Sequence, residues 1–210
     1  MAIAINGTGT ITGISVGGLN DSIITSSELA NAAVTAAKLA AGAGGKILNV
    51  WQGVFTGIQS FAPGSSAPGP RADITNLSVT LTPTSASSRF LITCSINMGG
   101  GSNSPAYYLM RDSTDILLNT SSSAATTLAT WGAHHSGNVG YYYSSDLQTI
   151  SYVDSPATTS SITYKVQGQN AFGTGVAVYV NASQQNGSGA DTSYYNVRGC
   201  STITVMEISS

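Results

Sequence analysis

Apolar and polar residues alternate with a period of two along several stretches of the chain after residue 46. The clearest set is Phe90, Ile92, Cys94, Ile96 and Met98, and shorter sets occupy 162–166 and 176–180. Successive side chains of a strand point to opposite faces, so this alternation predicts strands with one buried face. Nine strand-like runs, separated by segments rich in Gly, Pro, Ser and Asn, predict a mainly β fold, an antiparallel β-sandwich of the jelly-roll type. These runs are 46–55, 72–83, 88–98, 106–119, 126–135, 147–155, 161–169, 175–183 and 201–209.

A different period governs the first 45 residues. Aliphatic residues recur every five positions, at Ile14, Leu19, Ile24, Leu29, Val34 and Leu39. Five residues of an α-helix advance about 500°, so no single apolar stripe forms, and an odd spacing on a flat strand alternates faces. Two arrangements would bury all six: a chain that bends every five residues, or several copies wound around a shared axis.

The stretch 27–41 also has the features of a short helix, with Ser26 or Ser27 as N-cap, Glu28 in the first turn and Gly42 at the end. Helix and extended chain both stay open for it. In either conformation residues 1–45 contain no aromatic side chain and cannot build a core of their own. We therefore expect them to pack on copies of themselves. The sequence AAGAGG, residues 40–45, predicts a flexible joint before the β region.

Charged residues make up only 8% of the chain, and the net charge is −2. An average globular protein has about 25%. The seven basic residues are scattered singly, which argues against a nucleic-acid-binding surface. We find no secretory signal and no apolar run long enough for a membrane helix, and expect a soluble protein made in a cytoplasm.

Few residues suggest chemistry. Asp112 and Asp115 are the nearest candidates for a pair of glycosidase carboxylates, but Asp beside turn residues usually shapes the backbone. His134 and His135 would point to opposite faces of a strand and are a poor metal site within one copy. No nucleophile, phosphate-binding or zinc motif is present. The sequence predicts a protein that is not an enzyme, with no cofactor and no metal, and Cys94 and Cys200 as buried free thiols.

Aromatic residues are concentrated between 131 and 146. A strand can bury only alternate members of the run YYYSSD, and the same holds for the adjacent pair Tyr107 and Tyr108, so some rings must be exposed or lie at an interface. Exposed Tyr and Trp on loops commonly contact carbohydrate rings or protein partners. Packing between subunits explains the run equally well. The predicted host-contact residues are Trp131, Tyr141, Tyr142 and Tyr143.

Several phrases carry a family resemblance. SSELANAAVTAAKLAAG, residues 26–42, resembles repeats of tailed-bacteriophage fibre proteins. The stretches 74–96, 109–116, 151–170 and 201–208 resemble a β-domain of cyanophage-like virion proteins. The resemblance covers about residues 19–210 and implies a virion structural protein, usually a homotrimeric fibre whose N-terminal segment binds other virion proteins. The short stem leaves a stubby fibre or a head-attached decoration protein as alternatives.

The combined interpretation is a homotrimeric phage tail fibre or spike. Residues 1–18 would form an anchor, 19–45 a trimeric stem and 46–210 a β-sandwich head. The stem would pack through Ile24, Leu29, Val34 and Leu39, and the head would bind a glycan or protein of the host surface. The rival hypotheses are a capsid decoration protein and a glycan depolymerase. No nucleic acid or membrane partner is expected, and the location would be the virion.

Overall fold

The computed structural model describes residues 46–64, 68–99, 104–121, 128–132, 143, 145–171, 177–187 and 198–209. The chain divides into two compact units, Met1–Gly45 and Lys46–Ser210, and every described residue belongs to the second unit. The predicted anchor and stem, with Ile24, Leu29, Val34 and Leu39, lie outside the described residues.

The described part of the chain is almost entirely β. Its elements are β1 (Ile47–Phe55), β2 (Gln59–Phe61), β3 (Ala72–Leu81), β4 (Arg89–Gly99), β5 (Pro105–Arg111), β6 (Thr114–Asp115), β7 (Trp131–Gly132), β8 (Asp146–Asp154), β9 (Ile162–Asn170), β10 (Val178–Val180), the one-turn helix α1 (Gln184–Gly187) and β11 (Ser201–Ile208).

Two antiparallel sheets pack face to face. Sheet A has the order β1-β11-β4-β10-β2. In addition, β8 pairs with β4 along the edge opposite β11. Sheet B has the order β3-β9-β5-β6, with β7 also paired to β5. The antiparallel β-sandwich predicted from the alternation is therefore confirmed.

The core lies between the sheets and follows the predicted period. Every second residue of β4, from Phe90 to Met98, is fully buried, and Ile203 and Val205 of β11 lie beside them. Sheet B contributes Leu77, Leu109, Tyr164 and Val166 from the opposite side, among others. Gly168 of β9 makes room for a ring, because a Cβ there would lie 2.5 Å from Cζ of Phe61.

One end of the sandwich, which we call the base, is closed by buried polar groups. Strand β1 begins at the base and β11 ends there. Just beyond their ends, the Ser209 amide donates to the Lys46 carbonyl at 2.8 Å. Arg111 of sheet B donates to Asp154 of sheet A at 2.6 Å, and the Tyr164 hydroxyl donates to the same carboxylate oxygen at 2.7 Å. These bonds join the two sheets where apolar packing ends.

Glu207 is the most deeply buried acid of the base. Its side chain is fully buried and accepts four hydrogen bonds, from the Thr84 amide (2.6 Å), the Thr84 hydroxyl (2.9 Å), the Ser88 hydroxyl (2.7 Å) and the Asn49 amide (2.9 Å). Burial alone would raise the pKa of Glu207, but the bonds from Asn49, Ser88 and Thr84 hold the pKa below its ordinary value. The turn between β3 and β4 is thus fastened to β11.

Two expectations are corrected. Cys94 is buried as expected, and burial raises the pKa of its thiol to about 12, but Cys200 is exposed because it precedes β11 instead of lying within it. Adjacent Tyr107 and Tyr108 were expected to leave a ring exposed or at an interface. Tyr107 points into the core, and Tyr108 on the other face is covered within the same chain, so both are buried.

Candidate interaction surface

The end of the sandwich opposite the base, which we call the tip, is where the aromatic-rich segment leaves the sheets. β4 and β9 end there, at Gly99 and Asn170, while β5 and β8 begin there. β7 also leads to the tip, since Gly132 pairs with Ala106 near the start of β5. The described strand ends that flank 100–103, 133–142 and 172–176 therefore lie at the tip.

The structure places two of the four predicted host-contact residues. Trp131 is half-buried in β7, and its ring lies against Tyr107 with centroids 5.6 Å apart. Tyr143 is 48% exposed. Tyr141 and Tyr142 lie outside the described residues. The contact role of all four stays a prediction, and Trp131 has a second role as a packing partner of the core.

The Tyr107 and Trp131 pair buries two polar atoms beneath the tip. The hydroxyl of Tyr107 and Nε1 of Trp131 are both buried and have no hydrogen-bond partner within the described part of the chain. Burial accordingly raises the pKa of the Tyr107 hydroxyl far above its ordinary value.

A second aromatic cluster covers the outer face of β5. The guanidinium of Arg71 lies 3.5 Å from the ring centroid of Tyr108 and binds both carboxylate oxygens of Asp115, at 2.6 and 3.2 Å. The Tyr108 hydroxyl donates to Gln169. Stacked and paired in this way, Arg71 holds the segment before β3 against sheet B. Because Arg71, Tyr108 and Asp115 contact each other or neighbouring residues of the chain, we interpret the cluster as a structural contact and not as an open binding site.

Three aspartates for which the sequence suggested no binding partner form hydrogen bonds or ion pairs in the structure. Asp112 lies in a turn with a φ of 54°, and its carboxylate accepts from the Thr163 amide at 2.9 Å. The turn role expected for Asp112 is thus observed, whereas Asp115 is a strand residue paired to Arg71. Asp73 pairs with Lys165 at 2.9 Å. Their partners come from distant parts of the sequence, which is why spacing along the chain did not reveal them.

The described residues contain no group of three or more His, Cys, Asp or Glu side chains placed to hold a metal ion. None of the helices in the described part of the chain is long and apolar enough to cross a membrane.

The outer face of sheet A is a different kind of surface. The strand register places its outward residues in rows across β1, β11, β4 and β8. One row is wholly apolar, two further rows are dominated by hydroxyl groups, a row beside the first holds two isoleucines and Arg89, and a pair lies at the other end of the face. In that order they are Val50–Met206–Leu91–Val153, Gln52–Thr204–Thr93–Ser151, Val54–Thr202–Ser95–Thr149, Ile47–Ile208–Arg89 and Asn97–Leu147.

Hydroxyl groups of neighbouring strands are bonded to each other across this face. Thr93 and Ser151 are 3.1 Å apart through their oxygens, Ser95 and Thr149 are 3.2 Å apart, and Gln52 donates to Thr204 at 3.0 Å. Much of the polar capacity of the face is therefore used within the sheet. A surface of this kind loses little hydration when a partner covers it.

Exposed apolar side chains lie at two places on this face. Leu147, near the start of β8, is 61% exposed. At the start of β1, Ile47 is 58% exposed and Val50 57% exposed, and Leu48, the extra residue of a bulge, is also exposed. No sequence pattern had marked these residues, because 46–55 reads as an ordinary strand. Their orientation depends on which strand pairs with β1, and that strand is more than 140 residues away.

Comparisons with known proteins give weak structural neighbours only. Two are described as structures of infectious bursal disease virus, Gx strain and Gt strain, with TM-scores of 0.36 and 0.35 and sequence identities of 11% and 12%. The matches cover 77% and 76% of this chain but 37% and 42% of the viral chains, so this chain spans about two fifths of their length. No protein-family model matches, and no curated protein matches.

Proposed function

We propose that this protein is a virion structural protein of a tailed bacteriophage, a homotrimeric fibre or spike that contributes to host attachment. The proposal rests mainly on the difference between the two ends of the β-sandwich, the base and the tip. The chain enters at the base, at Lys46, while the aromatic-rich segment that includes Tyr143 leaves from the tip. A domain fixed at one end and presenting loops at the other suits an adhesive element.

Sequence features support the same proposal. The phrases that resemble phage fibre repeats lie before residue 46, and those that resemble virion β-domains coincide with β3, β4, β9 and β11. A five-residue aliphatic repeat without large side chains requires cover from other copies. Three chains would supply that cover.

Assembly and location are tested first. Mass photometry of the full-length protein should give about three times the chain mass of 21.3 kDa, and gold-labelled antibody on intact virions should mark the tail. Changing Leu29 and Val34 together to Asp should reduce the trimer, since unpaired carboxylates would be buried in the stem. A stable monomer at micromolar concentration contradicts the trimer.

Attachment is tested at the tip. The double variant Tyr142→Ala and Tyr143→Ala should lower adsorption of the virion to susceptible cells while the melting temperature of the trimer stays close to that of the parent. Thr159→Ala with Ser160→Ala changes two residues at the base end, between β8 and β9, and serves as the matched control. If the tyrosine variant dissociates, the rings belong to a subunit interface. Unchanged adsorption by the tyrosine variant argues against this adhesive surface.

A capsid decoration protein is the second candidate, favoured by the outer face of sheet A, whose described strands carry Arg89 as their single outward charge and which could lie flat on a shell. Gold label on the capsid of the virion instead of on its tail would support the decoration protein.

The proposal gives the protein no catalytic role. Asp112→Asn with Asp115→Asn should leave host binding intact. Release of reducing sugar from host polysaccharide by the parent, lost in this variant while binding is retained, would decide for a depolymerase.

A further inference from the structure

We infer that the outer face of sheet A is the surface through which the heads of neighbouring copies of this chain contact each other. The inference rests on the proposed function only in requiring an assembly of several copies. It concerns the rows of outward residues on β1, β11, β4 and β8, and it leaves the tip free for other partners.

The first argument is the distribution of charge between the two outer faces. On the described strands of sheet A, the outward rows hold no charged side chain except Arg89, at the very start of β4. The outer face of sheet B holds Asp73 and Lys165 as an ion pair, and the Arg71–Asp115 pair lies above β5. The low charge of the whole chain therefore does not explain why the outer face of sheet A carries fewer charged residues than that of sheet B. Charged residues are depleted from the cores of protein interfaces, and the depletion here is confined to one face.

The second argument is the apolar surface that sheet A leaves to water. Val50 and Val153 close the two ends of the apolar row, on the edge strands β1 and β8, and are 57% and 37% exposed. Ile47 and Leu48 extend this apolar surface beside Val50. Isolated exposed apolar residues are normal, but a contiguous apolar row extended by further apolar residues marks a contact surface.

The third argument is size. Four strands about 4.8 Å apart and nine residues long at about 3.3 Å per residue give a face of roughly 600 Å². A standard protein interface covers about 800 Å² on each partner. The face is therefore large enough to supply most of one interface, especially in an assembly whose copies are also joined elsewhere.

The choice of a second copy as the occupant follows from where the preceding segment ends. Residues 1–45, which lack the side chains for a core, are joined through Lys46 to Ile47, and Ile47 belongs to this apolar surface. If copies associate through residues 1–45, their β1 strands start close together and share a high local concentration. The apolar residues nearest that junction are then the first to meet another copy.

The experiment measures thiol accessibility in the full-length protein. In a Cys200→Ser background, single cysteines replace Gln52 or Ser151 on the outer face of sheet A, and Thr80 on the outer face of sheet B serves as the control. Gln52, Ser151 and Thr80 are all exposed within one chain. Cys94 stays silent because it is fully buried. We expect maleimide to label the cysteines on sheet A about tenfold more slowly than the one on sheet B, as labelling would require local opening of the contact.

Each outcome decides something. Slow labelling at 52 and 151 with fast labelling at 80 supports the inference. Equal labelling in a protein that is still a trimer overturns it and leaves the proposed function standing, whereas equal labelling in a monomer overturns both. Slow labelling at position 80 alone would place the contact on sheet B and would also overturn the inference. Thr149→Cys, on the same face, replaces Ser151→Cys if that variant does not fold.

Discussion

Replacing Glu207 by Gln tests whether the hydrogen bonds at the base stabilise the head. The carboxylate accepts four hydrogen bonds and is fully buried. The amide of Gln keeps one acceptor oxygen and sets an N–H group against a donor such as the Asn49 amide. Hydrogen bonds to a charged group contribute about 1.5–3 kcal/mol each, and losing roughly half of the four should cost about 3–6 kcal/mol of unfolding free energy. For a domain of this size that lowers the melting temperature by about 6–24 °C.

The pH dependence makes the test sharper. The pKa of Glu207 in the folded protein lies below its ordinary value of 4.5. The stabilisation from its charge is therefore fully present above about pH 4.5 and is lost as the pH falls through the folded-state pKa. Chemical denaturation of parent and variant should give a full difference at pH 7 and a smaller one at pH 3.

The matched control is Asp115→Asn, the same change of acid to amide at a partly exposed ion pair with Arg71. A surface pair contributes about 0–1 kcal/mol, so this variant should change stability little. Two results would refute the reasoning: a Glu207→Gln variant as stable as the parent at pH 7, or a loss of stability that is the same at pH 7 and pH 3.

Two further variants probe the core and the bond between the sheets. Gly168→Ala should destabilise the head by about 1–3 kcal/mol, because the new methyl group meets the Phe61 ring; a change below about 0.5 kcal/mol in urea denaturation would show that the ring moves freely aside. Arg111→Leu removes the partner of the nearly buried Asp154 and should cost about 2–4 kcal/mol at pH 7, measured by calorimetry. A variant as stable as the parent would mean that the Tyr164 hydroxyl alone satisfies Asp154.

The sequence predicted the strands well and their partners poorly. The alternation from Phe90 to Met98 was sufficient to identify β4, because a period of two is a local property of one strand facing a core. Tyr108 shows where local pattern fails. Its outward position was predictable, but its burial depends on Arg71, which reaches it from a distant segment.

The candidate surface on sheet A was not predictable from the sequence for a related reason. Val50, Leu91 and Val153 are unremarkable as single apolar residues in three separate strands. They become a row only through the registers of β1, β11, β4 and β8. Cys200 illustrates the smaller errors, since its thiol was expected in the interior but lies exposed on the residue just before β11.

The position of β11 between β1 and β4 has a consequence for how the chain folds. β11 is the last of the described strands, yet it lies inside sheet A, and β1 pairs with no other described strand. Such distant pairing gives a high contact order and slow folding. Roughly 150 residues separate β1 from its partner, so at about 5–20 residues per second β1 waits roughly 10–30 s on the ribosome before it can pair. Throughout that interval Ile47, Leu48 and Val50 are available to any nascent neighbour made from the same messenger.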